Sequence, residues 1–135
     1  MEPINPEALG APRGYSNGML SPAGARILFV AGQIAWNTAQ EIVSTNFSEQ
    51  FSQALRNVLA VVEAAGGAAH DVGSLTIFVT DKQRYTDDLR AVGAAYRHLM
   101  GRHYPAMALV EVAALLEPMA QVEIQAIAAI PQQNI

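Results

Sequence analysis

The sequence predicts an α+β fold, a mixed β-sheet with two helices laid across one of its faces. Three observations carry that expectation. Apolar residues recur at helical spacing in two segments: Phe47, Phe51, Leu55, Val58 and Val62 form one stripe, and Tyr85, Leu89, Val92, Tyr96 and Leu99 form another. Runs rich in β-branched and aromatic residues, at 26–31 and 75–80, read as strands on either side of the first stripe. Two further apolar runs, 106–115 and 121–130, close the chain around a turn at Glu117-Pro118. The order is β-β-(β)-α-β-α-β-β, and helices on one face leave the other face of the sheet partly apolar.

Each element has a local reason. Residues 1–13 are rich in Pro and Gly and predict an irregular N-terminal arm, with a turn at Pro12-Arg13-Gly14. A strand is expected at Gly18–Leu20, then a turn at Ser21-Pro22-Ala23-Gly24. The strand that starts at Arg26 is expected to break at Gly32, with a strand end or loop over 33–37 and a short edge strand at Glu41-Ile42-Val43. Asn46 and Glu49 have the N-cap and N3 spacing of a capping box, which starts the first helix. Gly66-Gly67 ends it, because glycine takes the left-handed conformation without steric cost. Thr80 or Asp81 caps the second helix and Gly101 stops it. No repeat or linker interrupts the chain, so residues 1–135 are expected to form one domain.

A chain of 135 residues can bury a core without metals or disulfides. With 51% hydrophobic and only 15% charged residues, it has few charges to cover its surface. That shortage, like the open sheet face, predicts an oligomer. The chain has no cysteine, which removes disulfide and thiolate chemistry and fits a cytoplasmic protein. His70, His98 and His103 lack metal-ligand spacing, so neither metal nor cofactor is expected. A net charge of −4 offers no footprint for nucleic acid. The start lacks the basic and apolar regions of a secretory signal, and no apolar run approaches the roughly 20 residues needed to span a bilayer. No membrane partner is expected.

Four local patterns resemble the RidA (YjgF) family. They are Gly14-Tyr15-Ser16-Asn17-Gly18, Phe29-Val30-Ala31-Gly32-Gln33-Ile34, Tyr104-Pro105-Ala106 before Val110-Glu111-Val112, and Val122-Glu123-Ile124-Gln125-Ala126-Ile127-Ala128. The resemblance spans roughly residues 12–130. It implies a chorismate-mutase-like fold, a six-stranded mixed sheet with two helices on one face. It also implies a homotrimer with a central barrel and small-molecule clefts between subunits. In the family's best-known branch those clefts hydrolyse enamines and imines to keto acids and ammonia.

The departures weaken that last implication. The branch carries an Arg after Pro-Ala, suited to gripping a carboxylate through two parallel hydrogen bonds. Here that position is Met107, which can donate nothing. A frequent Ser is Ala31, a usual Cys is Leu109, and an Asn of the second helix is Gly93.

By the same resemblance Glu123 is the candidate catalytic residue, aligned with a carboxylate that positions water. Strand alternation puts it on one face with Gln125 and Ile127. The competing role is a carboxylate that caps a solvated sheet edge or pairs with an Arg. The candidate ligand-binding residues are Tyr15, Ala31, Gly32, Gln33, Met107, Leu109, Glu111 and His103, and Glu123 is expected among Met107, Leu109 and Ala31. Glu111, on the face of Met107 and Leu109, reads more readily as a paired structural carboxylate. Arg102 and His103 are the nearest polar groups in sequence to the vacant Arg position, although both also suit a helix C-terminus. Trp36 is either an aromatic wall or core. Met100 and Met119 are expected to pack.

Three functions compete. The first is hydrolysis of an enamine, imine or other C–N compound, with Glu123 activating water; imines of simple amino acids would be poor substrates because Met107 replaces the Arg. The second is a non-catalytic ligand-binding or regulatory trimer. The third, a ribonuclease, is opposed by the acidic charge balance, since phosphate contacts dominate nucleic-acid affinity.

Overall fold

The computed structural model describes residues 1–132, so the last three residues of the expected single domain lie outside the described part. The strands are β1 (Glu2–Ile4), β2 (Gly18–Leu20), β3 (Arg26–Gln33), β4 (Val72–Val79), β5 (Ala106–Glu111) and β6 (Val122–Ile130). The helices are α1 (Phe47–Ala64), α2 (Lys82–Asp87) and α3 (Leu89–Met100), with short 3-10 turns at Glu7–Leu9 and Ala69–Asp71. β1 and β2 form a small antiparallel pair, and the other four strands form a mixed sheet in the order β3-β6-β4-β5. Only β4 and β5 run parallel. Parallel neighbours require a crossover, and α2 and α3 supply it. The α+β class, the mixed sheet and the helices on one face are as the sequence predicts. Among the described residues, no helix is long and apolar enough to cross a membrane.

The core lies between the sheet and the helices. All five residues of the first stripe are buried, and they meet Leu75, Ile77, Val79, Val122 and Ile124 from the sheet. Fully burying each such side chain is worth about 1.5–3 kcal/mol, which makes this layer the main source of stability. On the opposite face Ile27, Phe29 and Ile127 remain 51%, 76% and 39% exposed.

Several boundaries depart from the sequence expectation. The N-terminal arm is not wholly irregular: β1 pairs with β2, Glu2 opposite Leu20. β3 does not break at Gly32 but continues to Gln33 through a register shift between Val30 and Gln33. The edge strand at 41–43 is reduced to a single bridge between Trp36 and Ile42. β5 ends at Glu111 rather than 115, because β4 ends at Val79 and the Val112 N–H, donating to the Val79 carbonyl at 2.8 Å, makes the last rung. The capping box is half formed. Asn46 accepts from the Glu49 N–H at 3.1 Å, but the Glu49 carboxylate takes the Ser44 hydroxyl instead of the Asn46 N–H.

The second helix is two helices. Asp88 leaves helical geometry (φ −109°, ψ 22°), and its carboxylate accepts from the Ser48 N–H in the first turn of α1 at 3.2 Å. The break lets Tyr85 of α2 meet Phe47 edge to face, with ring centroids 6.4 Å apart.

Candidate functional site

The register of the main sheet sorts the expected site residues onto opposite faces. Directly paired residues point to the same side, and neighbours along a strand alternate. Leu75, Ile77 and Val79 pair with Met107, Leu109 and Glu111 of β5 and with Ala126, Ile124 and Val122 of β6. This is the helix-covered side, where Met107 and Leu109 pack against the core. Phe78 pairs with Glu123, Thr76 with Gln125 and Phe29 with Ile127, which defines the open side. Glu123 does share a face with Gln125 and Ile127. It does not sit among Met107 and Leu109, because those belong to the other parity of the sheet.

On the open side Glu123 lies against Gly32. A Cβ added at position 32 would be 2.8 Å from both Cδ and Oε2 of Glu123. The carboxylate therefore occupies the space that a side chain at 32 would fill, and the register shift in β3 brings this glycine there. Glu123 is half-buried and Ala31 is exposed. Gln33 turns its amide back on its own strand, donating to the Ala31 carbonyl at 3.1 Å.

The segment before β2 is tied to the start of β5. Ser16 donates its hydroxyl to the Tyr104 carbonyl at 2.6 Å and its N–H to the Pro105 carbonyl at 3.1 Å. Ser16 is buried, whereas Tyr15 beside it stands 40% exposed. Glu111 is exposed and accepts from the Lys82 N–H at 3.0 Å, at the first residue of α2. The His103 Nε2 lies 2.7 Å from the Val72 carbonyl and anchors the turn after α3 to β4. His103 does not line a cavity with Met107.

A cavity of about 270 Å³ sits over Met107 between α2, α3 and the sheet. Phe51, Ile77, Tyr85, Tyr104 and Met107 form much of its wall, and Gly14 and one face of α3, with Val92, Gly93, Tyr96 and Arg97, also line it. Tyr104 stacks on Tyr96 with centroids 5.4 Å apart and planes 10° apart. Tyr96 donates its hydroxyl to the His103 carbonyl at 2.6 Å. Burial first, and the neighbouring Tyr104 second, push the Tyr96 phenol above its usual range, so it remains a neutral donor. Arg97 is the polar group that the sequence reading missed. Its signal is a glycine and an arginine four residues apart on one helix, on the same face.

Comparison with known proteins agrees with this architecture. The family model described as Endoribonuclease L-PSP matches residues 6–130. A 2-iminobutanoate/2-iminopropanoate deaminase of Salmonella typhimurium is 36% identical over 105 residues, covering 76% of this chain and 78% of its own. The human protein of the same name is 30% identical over 123 residues, 90% of this chain and 84% of its own. Among solved structures, the Rid-family protein YyfB of Yersinia pestis superposes with a TM-score of 0.81 at 31% identity, covering 96% of this chain and 98% of that one. Escherichia coli TdcF, solved with bound serine, gives 0.67 at 31% identity over 90% and 91% of the two chains. With the fold, the closing strands and nearly the whole length in common with these proteins, the chain belongs to the RidA (YjgF, L-PSP) family.

Proposed function

We propose that the chain is a hydrolase of imines or enamines, acting in the cytoplasm as a homotrimer with its clefts between subunits. One observation carries this reading. Glu123 rests on Gly32 on the open face of the sheet, while the cavity over Met107 belongs to the helix-covered side. A single chain keeps carboxylate and cavity apart. A second copy seated on the open face, where Phe29 and Ile27 are exposed, would supply the missing half. The deaminase names of the relatives support the reaction class.

In the proposed reaction Glu123 takes a proton from water, and the water oxygen adds to the imine carbon. Glu123 passes that proton to the nitrogen, giving a carbinolamine; the added hydroxyl then loses its proton, the nitrogen gains it by way of Glu123, the C–N bond breaks and ammonia leaves, giving a carbonyl product. Ala31, Gly32 and Gln33 border the Glu123 side of the cleft, and Tyr15, between Gly14 of the cavity wall and Ser16 beside the start of β5, borders the Met107 side. Met107 and Leu109 form the apolar wall opposite, and backbone N–H groups near Gly32 or Leu109 would meet the developing charge. Glu111 and His103 act behind this wall, holding α2 and the turn after α3 in place.

Met107 limits the substrate. Without two charge-assisted hydrogen bonds at that position, each worth about 1.5–3 kcal/mol, imines of small amino acids should react roughly 10²–10⁴ times more slowly than in an Arg-bearing relative. The test is ammonia release from imines generated from amino acids of increasing side-chain size. Slow turnover of 2-iminopropionate, abolished by Glu123→Gln with assembly intact, is the expected result. Fast turnover of 2-iminopropionate would contradict the role given to Met107. Turnover indifferent to Glu123→Gln would contradict the role given to Glu123. If no imine is hydrolysed, the second reading takes over: a trimer that binds a ligand without transforming it, which the loss of the Arg also favours.

A further inference from the structure

We infer that Arg97 supplies the anion contact of this site from a new position, and that the cavity takes a small carboxylate with an apolar, ring-like or branched body. The inference rests on the proposed reading of the cavity as part of the ligand site and deepens it by naming the ligand class.

The cavity wall pairs one cation with apolar and aromatic groups. Met107, Phe51, Ile77 and Val92 carry no hydrogen-bond donor, and Tyr96 spends its hydroxyl on the His103 carbonyl. Arg97 reaches the wall because position 93, one turn earlier on α3, has no side chain. A Cβ built there would lie 3.2 Å from Nη1 and 3.9 Å from both Cζ and Nη2 of Arg97. The guanidinium thus lies across the glycine at the solvent-exposed rim of the cavity that Tyr104 and Met107 also line. Among the described residues the ion pairs are His70–Asp71 and Arg84–Asp81, and none of their carboxylates pairs with Arg97. The two basic residues nearest in sequence to Met107 do not compete: Arg102 is exposed beyond the end of α3, and the His103 ring is held at the Val72 carbonyl.

A guanidinium presents five donors in a planar fork that matches a carboxylate. Set at the rim of an apolar cavity of about 270 Å³, it favours a ligand whose charge stays at the mouth while its body fills the interior. The smallest imino acids meet the cation but leave most of the apolar wall uncovered. Larger ones, with aromatic or branched side chains, satisfy both.

Calorimetric titration of the full chain with benzoate and with its neutral counterpart benzamide tests this directly. The wild-type protein should bind benzoate about tenfold more tightly than benzamide, a modest factor because Arg97 is partly solvated. Arg97→Gln should weaken benzoate about tenfold and leave benzamide unchanged, while Arg97→Lys, which keeps the charge but loses the fork, should recover part of the loss. Arg97 is exposed, so these variants should fold and melt as the wild type does. Equal binding of the two probes, binding of neither, or a benzoate preference that survives Arg97→Gln would overturn the inference. Ammonia release and its loss in Glu123→Gln separate the two claims. Hydrolysis without benzoate selectivity sinks the role of Arg97 alone, and selectivity without hydrolysis sinks the hydrolase reading alone.

Discussion

Glu123 and Gly32 work as a pair, and the pairing gives a prediction at the level of one methyl group. The atoms that a Cβ at 32 would meet are the far end of a flexible side chain. Gly32→Ala should therefore leave the fold and the denaturation midpoint nearly unchanged while swinging the carboxylate off β3. If Glu123 is the working acid–base group, ammonia release falls with Gly32→Ala almost as far as with Glu123→Gln. Tyr96 gives a second prediction, about pH. Its phenol is raised in the folded protein and ordinary, near 10, in the unfolded chain. Above about pH 10 the unfolded state loses this proton first, so the stabilisation present at neutral pH is lost as pH rises. Urea unfolding between pH 8 and 11 should show that decline, and Tyr96→Phe should flatten it. In the sequence Glu123 is visible through the resemblance of its strand to the family's closing strand, and alternation adds only the face it shares with Gln125 and Ile127. Arg97 is not, because its significance depends on the empty position at Gly93 and on the cavity wall that only the fold assembles.

Elements hold these residues through a few buried polar links. Gln50 in α1 is fully buried. Its amide donates to the Ser44 carbonyl at 2.8 Å and the Met119 carbonyl at 3.0 Å, and its oxygen accepts from the Gln121 N–H at 2.9 Å. One side chain thus fastens the start of α1 to the loop that leads into β6, the strand of Glu123. Gln50→Leu keeps most of the volume but strands three backbone groups, and should cost about 2–4 kcal/mol. A lower urea midpoint with unchanged slope, at fixed protein concentration, would show it. The sequence periodicity locates α1 well, since its stripe and its cap agree. It merges α2 and α3, because the apolar spacing continues through Asp88 and the break depends on a contact with Ser48, forty positions away. Strand ends such as Glu111 are set by where a partner strand stops, which local pattern does not encode.

At the scale of the whole molecule the central matter is the division of the proposed site between two sheet faces. The composition, poor in charge, and the exposed Phe29 and Ile27 point to a covered open face. The alternation of β5 and β6 is legible in the sequence. Their relative register is not, and so Met107 and Glu123 are expected together there although they lie on opposite sides of one sheet. In the proposed homotrimer a second chain would bring the two together. The chain contains no cysteine, so introduced thiols report proximity without background. The decisive measurement mixes Glu123→Cys and Met107→Cys chains, lets them exchange subunits and treats them with a short bifunctional thiol reagent. A covalent pair of two chains is expected in the mixture, far above what either variant gives alone. Cross-linking no greater in the mixture than in the separate variants would contradict a cleft completed by a neighbouring subunit.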